Sequence, residues 1–224
     1  MTTNFEPIYQ RACERHGGAS ALKKQLSKPA TPKSLQKISD DRWLSEMTKC
    51  VFQAGFNWQL IEDKWEHFEA AFHQFNVNRL AMLSDDDVDQ LMSNTCIVRN
   101  YAKIQSVREN ASFLKSLKAR HGSTGKYFSI WKLADYSNNL KQLQKDTKRL
   151  GGKTAQVFLR RMGVDTLIFT PDVLSALTKA GVLHNKPPSS KLNWAILQDT
   201  LNLWHQETKL SLNEISQILA LSTD

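Results

Sequence analysis

Residues 149 to 173 read RLGGKTAQVFLRRMGVDTLIFTPDV, and this stretch decides the fold. Gly151 and Gly152 stand between a basic segment and an amphipathic one, where one helix can end and the next can begin. Glycine accepts a positive φ angle or a close approach of another backbone, because it has no Cβ. The pattern predicts two helices joined by a hairpin turn, over about residues 141 to 173. The alternative interpretation is an ordinary corner between two packed helices.

The predicted turn has the features of an anion site. Its free N–H groups and the dipole of the following helix attract negative charge, and Lys141 and Lys145 come shortly before it. We therefore predict that a phosphate binds here. The predicted phosphate-binding residues are Lys148, Arg149, Gly151, Gly152, Lys153 and Thr154.

The composition of the whole chain is that of a globular protein with a polyanionic partner. Its 224 residues can bury one sizeable core, as one body or as two lobes. The net charge of +8 and the isoelectric point near 9.4 favour a partner rich in phosphate, because each lysine or arginine beside a phosphate releases a condensed counterion. No stretch is apolar enough to span a bilayer, and the first residues do not resemble a signal peptide. We predict a cytoplasmic protein with no membrane partner.

The cysteines argue against both a disulfide framework and a metal site. Cys13, Cys50 and Cys96 are odd in number and widely spaced, which fits a reducing compartment. Neither a C-x-x-C nor an H-E-x-x-H motif is present. We predict no bound metal and no cofactor.

Hydrophobic spacing predicts helices along most of the chain and no strand of useful length, so the predicted fold class is all-α. The predicted helices run from Ser39 or Asp40 to near Gly55, from Trp58 to Phe75, from a cap at Ser84 to Met92, from Val98 to Arg120, from Leu133 to Lys148, from Asp172 to Gly181, from Leu192 to Thr208, and from Leu212 to Leu221 after a Ser211–Glu214 capping box.

Three segments follow from this pattern: an N-terminal arm with short helices over 1–38, a core over 39–183, and a C-terminal helical extension over 184–224. Most basic residues of the helix predicted from Val98 are expected outside its apolar face, on a solvated surface or against phosphates. They are Arg99, Lys103, Arg108, Lys115, Lys118 and Arg120.

Several ordered motifs between residues 40 and 131 resemble those of the DNA-3-methyladenine glycosylase I (Tag) family, in the helix–hairpin–helix DNA glycosylase superfamily. The motifs are DDRWLSE at 40–46, FQAGFNW at 52–58, AFHQF at 71–75, DVD at 87–89, IVRNYAKI at 97–104 and NA at 110–111. The GGKTA turn extends the resemblance to about residue 180. The resemblance implies a two-lobed all-α fold and double-stranded DNA as the partner of a monomeric enzyme.

The resemblance also assigns site residues. These enzymes extrude a nucleotide from the duplex and hold its base against aromatic faces in a dry pocket. By resemblance, Gly55 and Phe56 form a wedge that fills the gap in the duplex. The implied base pocket contains Tyr9, Cys50, Gln53 and Trp58. Without the family, Phe56 and Trp58 are interpreted as core residues.

Departures from the family pattern bear on specificity and on metal binding. Cys50 stands where the family has the glutamate that accepts hydrogen bonds from an alkylated adenine, eight residues before Trp58. Ala12, Cys13 and Glu14 fall on the family's tyrosine-histidine-aspartate, whose histidine is a zinc ligand, and the family's other zinc ligands have no counterpart. Tyr9 alone remains as a pocket aromatic near the N-terminus.

Two further positions concern catalysis. Thr170 falls where other branches of the superfamily have an aspartate, which Tag enzymes also lack. Lys153 falls on the lysine with which lyase-type members attack the sugar, although a phosphate-binding lysine is the alternative.

The sequence therefore predicts a DNA N-glycosylase for an alkylated base such as 3-methyladenine, with a specificity that has drifted and a catalytic residue that stays unassigned. One alternative is a non-catalytic protein that binds DNA structures with the same hairpin and wedge. Another is a helical interaction protein without a nucleic-acid role.

Overall fold

A computed structural model describes residues 4–223, and within that range it contains helices and turns without a β-strand, as the sequence predicted. The α-helices are α1 (Glu6–Arg15), α2 (Ala19–Gln25), α3 (Pro32–Gln36), α4 (Asp40–Gln53), α5 (Trp58–Asp63), α6 (Trp65–Ala71), α7 (Val77–Leu80), α8 (Asp85–Ser93), α9 (Tyr101–His121), α10 (Thr124–Ser129), α11 (Tyr136–Asp146), α12 (Lys153–Arg161), α13 (Pro171–Lys179), α14 (Lys191–Thr208) and α15 (Leu212–Leu221). Short 3₁₀ turns cover His73–Phe75 and Leu133–Asp135.

The chain forms two compact units, each built from separate stretches of sequence. The first takes the residues up to Ala30, Trp131–Leu140 and those from Gly163 onward. The second takes Thr31–Ile130 and Lys141–Met162. This grouping differs from the three consecutive segments predicted at 1–38, 39–183 and 184–224, which stay a sequence-based division.

In the first unit the N-terminal and C-terminal helices share a core. The rings of Phe5 and Trp204 lie 5.0 Å apart, and both side chains are buried. Asp165 accepts hydrogen bonds from the first two backbone N–H groups of α15, at 3.1 and 2.8 Å. The predicted capping box of α15 is confirmed. Residues 6–15 and 19–25 of the predicted arm are thus short helices, and α1 packs on α15.

In the second unit α4 is the central helix, and it packs against α9 and α12. Trp43 is fully buried and stacks on Phe128 at 4.8 Å. Ser39 is the predicted start of this helix, and α4 begins at the next residue. The apolar face that the spacing predicted is therefore the face that α4 buries.

The single helix predicted from Trp58 to Phe75 is wrong, because the segment is broken into α5, α6 and a 3₁₀ turn. His73, Gln74 and Phe75 all have positive φ angles, and Arg42 donates a hydrogen bond of 2.9 Å to the carbonyl of Gln74. Phe75 is buried, and its ring stacks on those of Trp65 in α6 and Phe72, at 5.5 Å from each.

Candidate functional site

The predicted hairpin is present as the turn between α11 and α12, and a buried asparagine of α9 holds it. The Asn110 side chain accepts a hydrogen bond of 2.8 Å from the backbone N–H of Lys148 and donates one of 3.1 Å to its carbonyl. Gly152 has φ +52° and ψ −131°, and Arg149 also has a positive φ of 60°. Gly151 has no positive φ, so the conformational requirement for glycine falls on Gly152 alone.

The outer side of this turn is open. A Cβ placed on Gly151 or Gly152 would meet no atom within 4 Å. Lys148, Arg149 and Lys153 are exposed beside the two glycines. The first turn of α12 receives no side-chain cap, so its N–H groups face a basic, accessible surface.

A second loop, residues 54–57, joins α4 to α5 in the same unit, and the side chain of Lys103 hydrogen-bonds to it. The Lys103 ammonium donates hydrogen bonds to the carbonyls of Phe52 and Ala54, at 3.0 and 2.7 Å. It also lies 4.2 Å from the ring centroid of Phe56, in cation–π geometry. Gly55 has a φ of +76°, which lets the chain reverse between the two helices.

The prediction that Lys103 lies on the exposed face of α9 is wrong, because the residue is 4% exposed. The methylene groups of its side chain are buried, and its ammonium reaches the carbonyls at the C-terminal end of α4. Burial, together with the nearby charge of Arg149, lowers the pKa of Lys103 to about 8. This lysine therefore connects the loop electrostatically with the hairpin turn.

Phe56 and Trp58 are not core residues, which overturns the interpretation made without the family. Phe56 is 39% exposed and Trp58 is 51% exposed. Asn57 between them accepts a hydrogen bond from the N–H of Gln59 and so starts α5. Two neighbouring aromatic residues on a short loop are thus available to a ligand.

The loop and α12 enclose a cavity of about 280 Å³. It is lined by Cys50, Gln53, Ala54, Gly55, Trp58, Lys153, Thr154 and Val157. The cavity therefore brings together three residues of the predicted base pocket, one of the predicted wedge and two of the predicted hairpin. Tyr9 belongs to α1 of the other unit, and its place in a pocket stays a prediction.

Cys50 contributes a neutral thiol to this cavity. The residue is 3% exposed, and its Sγ lies 3.5 Å from Oε1 of Glu46, one helical turn earlier. Burial, with the nearby carboxylate of Glu46, raises the pKa of Cys50 to about 12. The thiol therefore stays protonated at neutral pH, where it is a poor nucleophile.

Arg161, at the end of α12, contacts three of the lining side chains, and the sequence analysis did not single it out. Its Nη1 donates hydrogen bonds to Oε1 of Gln53 at 2.7 Å and to Oε1 of Glu46 at 3.0 Å, and it lies 3.8 Å from Sγ of Cys50. The guanidinium carbon lies 4.8 Å from the ring centroid of Trp58. Burial acts to lower the pKa of Arg161, but the hydrogen bond to Glu46 and the nearby Cys50 and Glu62 raise it above its ordinary value.

The amide of Gln53 is held at both ends. Its Nε2 donates a hydrogen bond of 2.8 Å to Oε1 of Glu62, whose other oxygen accepts one of 2.8 Å from Lys49. The hydrogen bonds to Lys49 and Gln53 lower the pKa of Glu62. Gln53 therefore presents its carbonyl to Arg161 in a fixed orientation.

Thr170 has a structural explanation, since its side chain accepts a hydrogen bond of 3.2 Å from the N–H of Val173 and caps α13.

Within residues 4–223 no group of three or more histidine, cysteine, aspartate or glutamate side chains is arranged to hold a metal ion. In the same part of the chain, no helix has the length and apolarity needed to cross a membrane.

Comparison with known proteins connects this site to a family. The family model described as methyladenine glycosylase matches residues 35–163. The chain is 30% identical over 86 residues to the DNA-3-methyladenine glycosylase of Haemophilus influenzae, which is 38% of this chain and 44% of that protein. It is 37% identical over 59 residues to DNA-3-methyladenine glycosylase 1 of Escherichia coli, which is 26% of this chain and 32% of that protein. The alignments thus span less than half of either relative.

Solved structures show the same fold. The 3-methyladenine DNA glycosylase I (TAG) of Staphylococcus aureus superposes with a TM-score of 0.51 at 20% identity, over 70% of this chain and 86% of that one. The 8-oxoguanine glycosylase/lyase of Methanocaldococcus jannaschii has a TM-score of 0.50 at 16% identity, over 96% and 95%. The all-α helix–hairpin–helix glycosylase fold is confirmed. Because the family model covers more than half of its 224 residues, this chain belongs to the methyladenine glycosylase family.

Proposed function

We propose that the protein is a DNA N-glycosylase of base-excision repair, which flips a damaged base out of the duplex and hydrolyses its bond to the sugar. The observation that carries this proposal is the cavity beside Trp58, whose indole is half exposed. Its volume of about 280 Å³ lies at the lower end of ligand pockets, which hold about 300–1,000 Å³. Such a cavity suits a single base with an aromatic face to stack on.

The proposed DNA contact uses both loops of the second unit. Phe56 enters the gap left by the flipped nucleotide, and the exposed turn around Gly151 and Gly152 binds a phosphate through backbone N–H groups and through Lys148 and Arg149. Cation–π contact with Lys103 keeps Phe56 in place before DNA arrives. The enzyme is proposed to act as a monomer.

The family acts on alkylated adenine, and the proposed specificity has drifted from it. In the reaction, water adds to C1′ of the sugar and the electron pair of the glycosidic bond leaves with the base. A cationic alkylated base leaves as a neutral purine, so an enclosing pocket can suffice without a strong general base. Cys50 offers a neutral thiol in place of the family's carboxylate, which weakens recognition of a cation.

The second candidate is a protein that binds damaged DNA without cutting it. It is favoured by the absence of a carboxylate from the described residues that line the cavity. Lys153 lines the same cavity, and it is proposed as a phosphate-binding residue with the lyase nucleophile as its alternative.

A glycosylase assay separates these candidates. The full chain is incubated in excess with duplexes that carry one alkylated, deaminated or oxidised base, and with an undamaged duplex. Released base is measured by chromatography, and cleavage without added alkali reports lyase activity. Release from any lesion supports the enzyme. Tight lesion binding without release supports the second candidate, and equal affinity for damaged and undamaged DNA contradicts both.

A further inference from the structure

Arg161 is not one of the residues that line the cavity, but it contacts three that do, Cys50, Gln53 and Trp58. Thr154, Val157 and Arg161 follow one another at helical spacing and so share one face. The guanidinium contacts Gln53 and Trp58, both of which line the cavity. The guanidinium lies over one face of the Trp58 ring, so a base that stacks on the indole beside it would present its edge to this arginine.

The guanidinium has N–H groups that can donate hydrogen bonds to the edge of such a base. Within the described chain, all the hydrogen bonds of Arg161 are made by Nη1, to Gln53, Glu46 and the Cys50 sulfur. A guanidinium has five N–H donors in a planar fork, so those of Nε and Nη2 remain. Its side chain is 27% exposed, which leaves it accessible to a ligand. The pair with Glu46 at 3.0 Å fixes the fork in place.

The charges around the cavity disfavour the binding of a cationic base. Glu46 and Glu62, which hydrogen-bond to the lining residues Cys50 and Gln53, already pair with Arg161 and Lys49. Lys153 adds a further positive charge to the lining. A cationic alkylated adenine would meet cations here, and its exocyclic amino group would face hydrogen-bond donors instead of acceptors.

A neutral purine with a keto group at C6 fits the same groups. Its O6 and N7 are both acceptors, and arginine is the side chain that most often donates to this pair at once. When the glycosidic bond of a neutral base breaks, the electron pair leaves on the base as negative charge. A fixed guanidinium at O6 and N7 stabilises that charge as it develops.

We infer that the flipped base is a neutral 6-keto purine, with the deaminated adenine hypoxanthine as its simplest form, and that Arg161 reads its O6 and N7. This inference rests on the proposed glycosylase function. Guanine has the same edge, but a hypoxanthine opposite thymine is mispaired and costs less to extrude than a paired guanine.

The test compares base release and binding by the full chain on two substrates: a duplex with one hypoxanthine opposite thymine, and methylated duplex DNA that carries 3-methyladenine. We expect hypoxanthine to be released faster, or bound more tightly if no base is released. Arg161→Gln should reduce this preference by about 5- to 150-fold, which corresponds to the loss of one bidentate arginine contact. Arg161→Lys keeps the charge but loses the fork, so it should recover only part of the preference.

Two controls separate a loss of recognition from a loss of folding or of DNA binding. Arg42→Gln removes another arginine that pairs with a carboxylate, Glu69, and the hydrogen bonds of Arg42 go to Glu69 and Gln74, neither of which lines the cavity. It should keep the preference for hypoxanthine. Affinity for a duplex with an abasic-site analogue, which has no base to read, should be the same for wild type and Arg161→Gln.

The outcomes distinguish the two levels of the argument. Faster release or tighter binding of 3-methyladenine, unchanged in Arg161→Gln, would overturn the inference and leave the proposed function standing. Equal affinity of the wild type for abasic, damaged and undamaged duplexes would remove the proposed function and this inference with it.

Discussion

Replacing Trp58 by alanine tests whether the cavity holds a base. The side chain is 51% exposed, so about 100 Å² of a ring that can bury about 200 Å² is in contact with the protein. At about 25 cal/mol per Å², its removal lowers the free energy of unfolding by at most about 2.5 kcal/mol. Loss of stacking on a flipped base should lower lesion affinity by about 1–3 kcal/mol, or roughly 5- to 150-fold.

These two losses are of similar size, so the assay must separate them. The quantity to measure is the ratio of dissociation constants for undamaged and lesion-containing duplexes, well below the melting temperature of the variant. Trp58→Phe keeps an aromatic face and should retain most of the ratio. Ile130→Ala removes another apolar residue of the same unit, 63% exposed and outside the cavity lining, and should leave the ratio unchanged. A Trp58→Ala protein that melts earlier but keeps the full ratio would refute the assignment of the cavity as a base pocket.

Five further predictions concern the site. Glutamine at Lys148 or Arg149 should make the slope of log K against log salt shallower by about 0.9 for each lost phosphate contact; an unchanged slope in DNA titrations would remove the turn from the interface. The pKa of Lys103 is lowered from 10.5 to about 8, so the folded state loses this proton at a lower pH than the unfolded state does. The free energy of unfolding measured in denaturant titrations should therefore gain a contribution from Lys103 as the pH rises from about 8 to 10.5. Phosphate bound near Arg149 should raise that pKa again, so calorimetry near pH 8 should show proton uptake on DNA binding, absent in Lys103→Met. Cys50→Glu combined with Glu46→Gln should increase release of 3-methyladenine more than Cys50→Glu alone. Metal analysis should find no zinc at one ion per chain, and a chelator should leave thermal unfolding unchanged.

Much of the fold was predictable because it depends on local chemistry. Capping residues and hydrophobic spacing predicted the start of α4, the cap of α8 at Ser84, the capping box of α15, and the hairpin turn. The break between Trp58 and Phe75 was not predictable in this way, since every residue in it is compatible with a helix. The positive φ angles at residues 73–75 are stabilised by packing and by Arg42, which is 32 residues distant from Gln74 in sequence.

The candidate site was predictable only in part, for the same reason. The resemblance to the family assigned Cys50, Gln53 and Trp58 to one base pocket, and in the structure all three line one cavity. The burial of Lys103 could not be read from α9, because its partners are carbonyls about fifty residues earlier in the chain. The sequence contains one indication of Arg161: it follows the predicted hairpin residue Thr154 at helical spacing and therefore lies on the same face of the helix.

Position 50 cannot be understood apart from residues 46 and 161. A glutamate at position 50 would place a second carboxylate within reach of Glu46, whose Oε1 lies 3.5 Å from the present sulfur. Two charges about 4 Å apart repel by about 4 kcal/mol at an effective dielectric constant near 20, so one carboxyl would keep its proton or both would compete for Arg161. The neutral thiol avoids this conflict and leaves the Glu46–Arg161 pair intact. Cysteine at position 50, glutamate at 46 and arginine at 161 therefore form one electrostatically consistent set, and a return to the family's carboxylate requires a change at position 46 as well as at position 50.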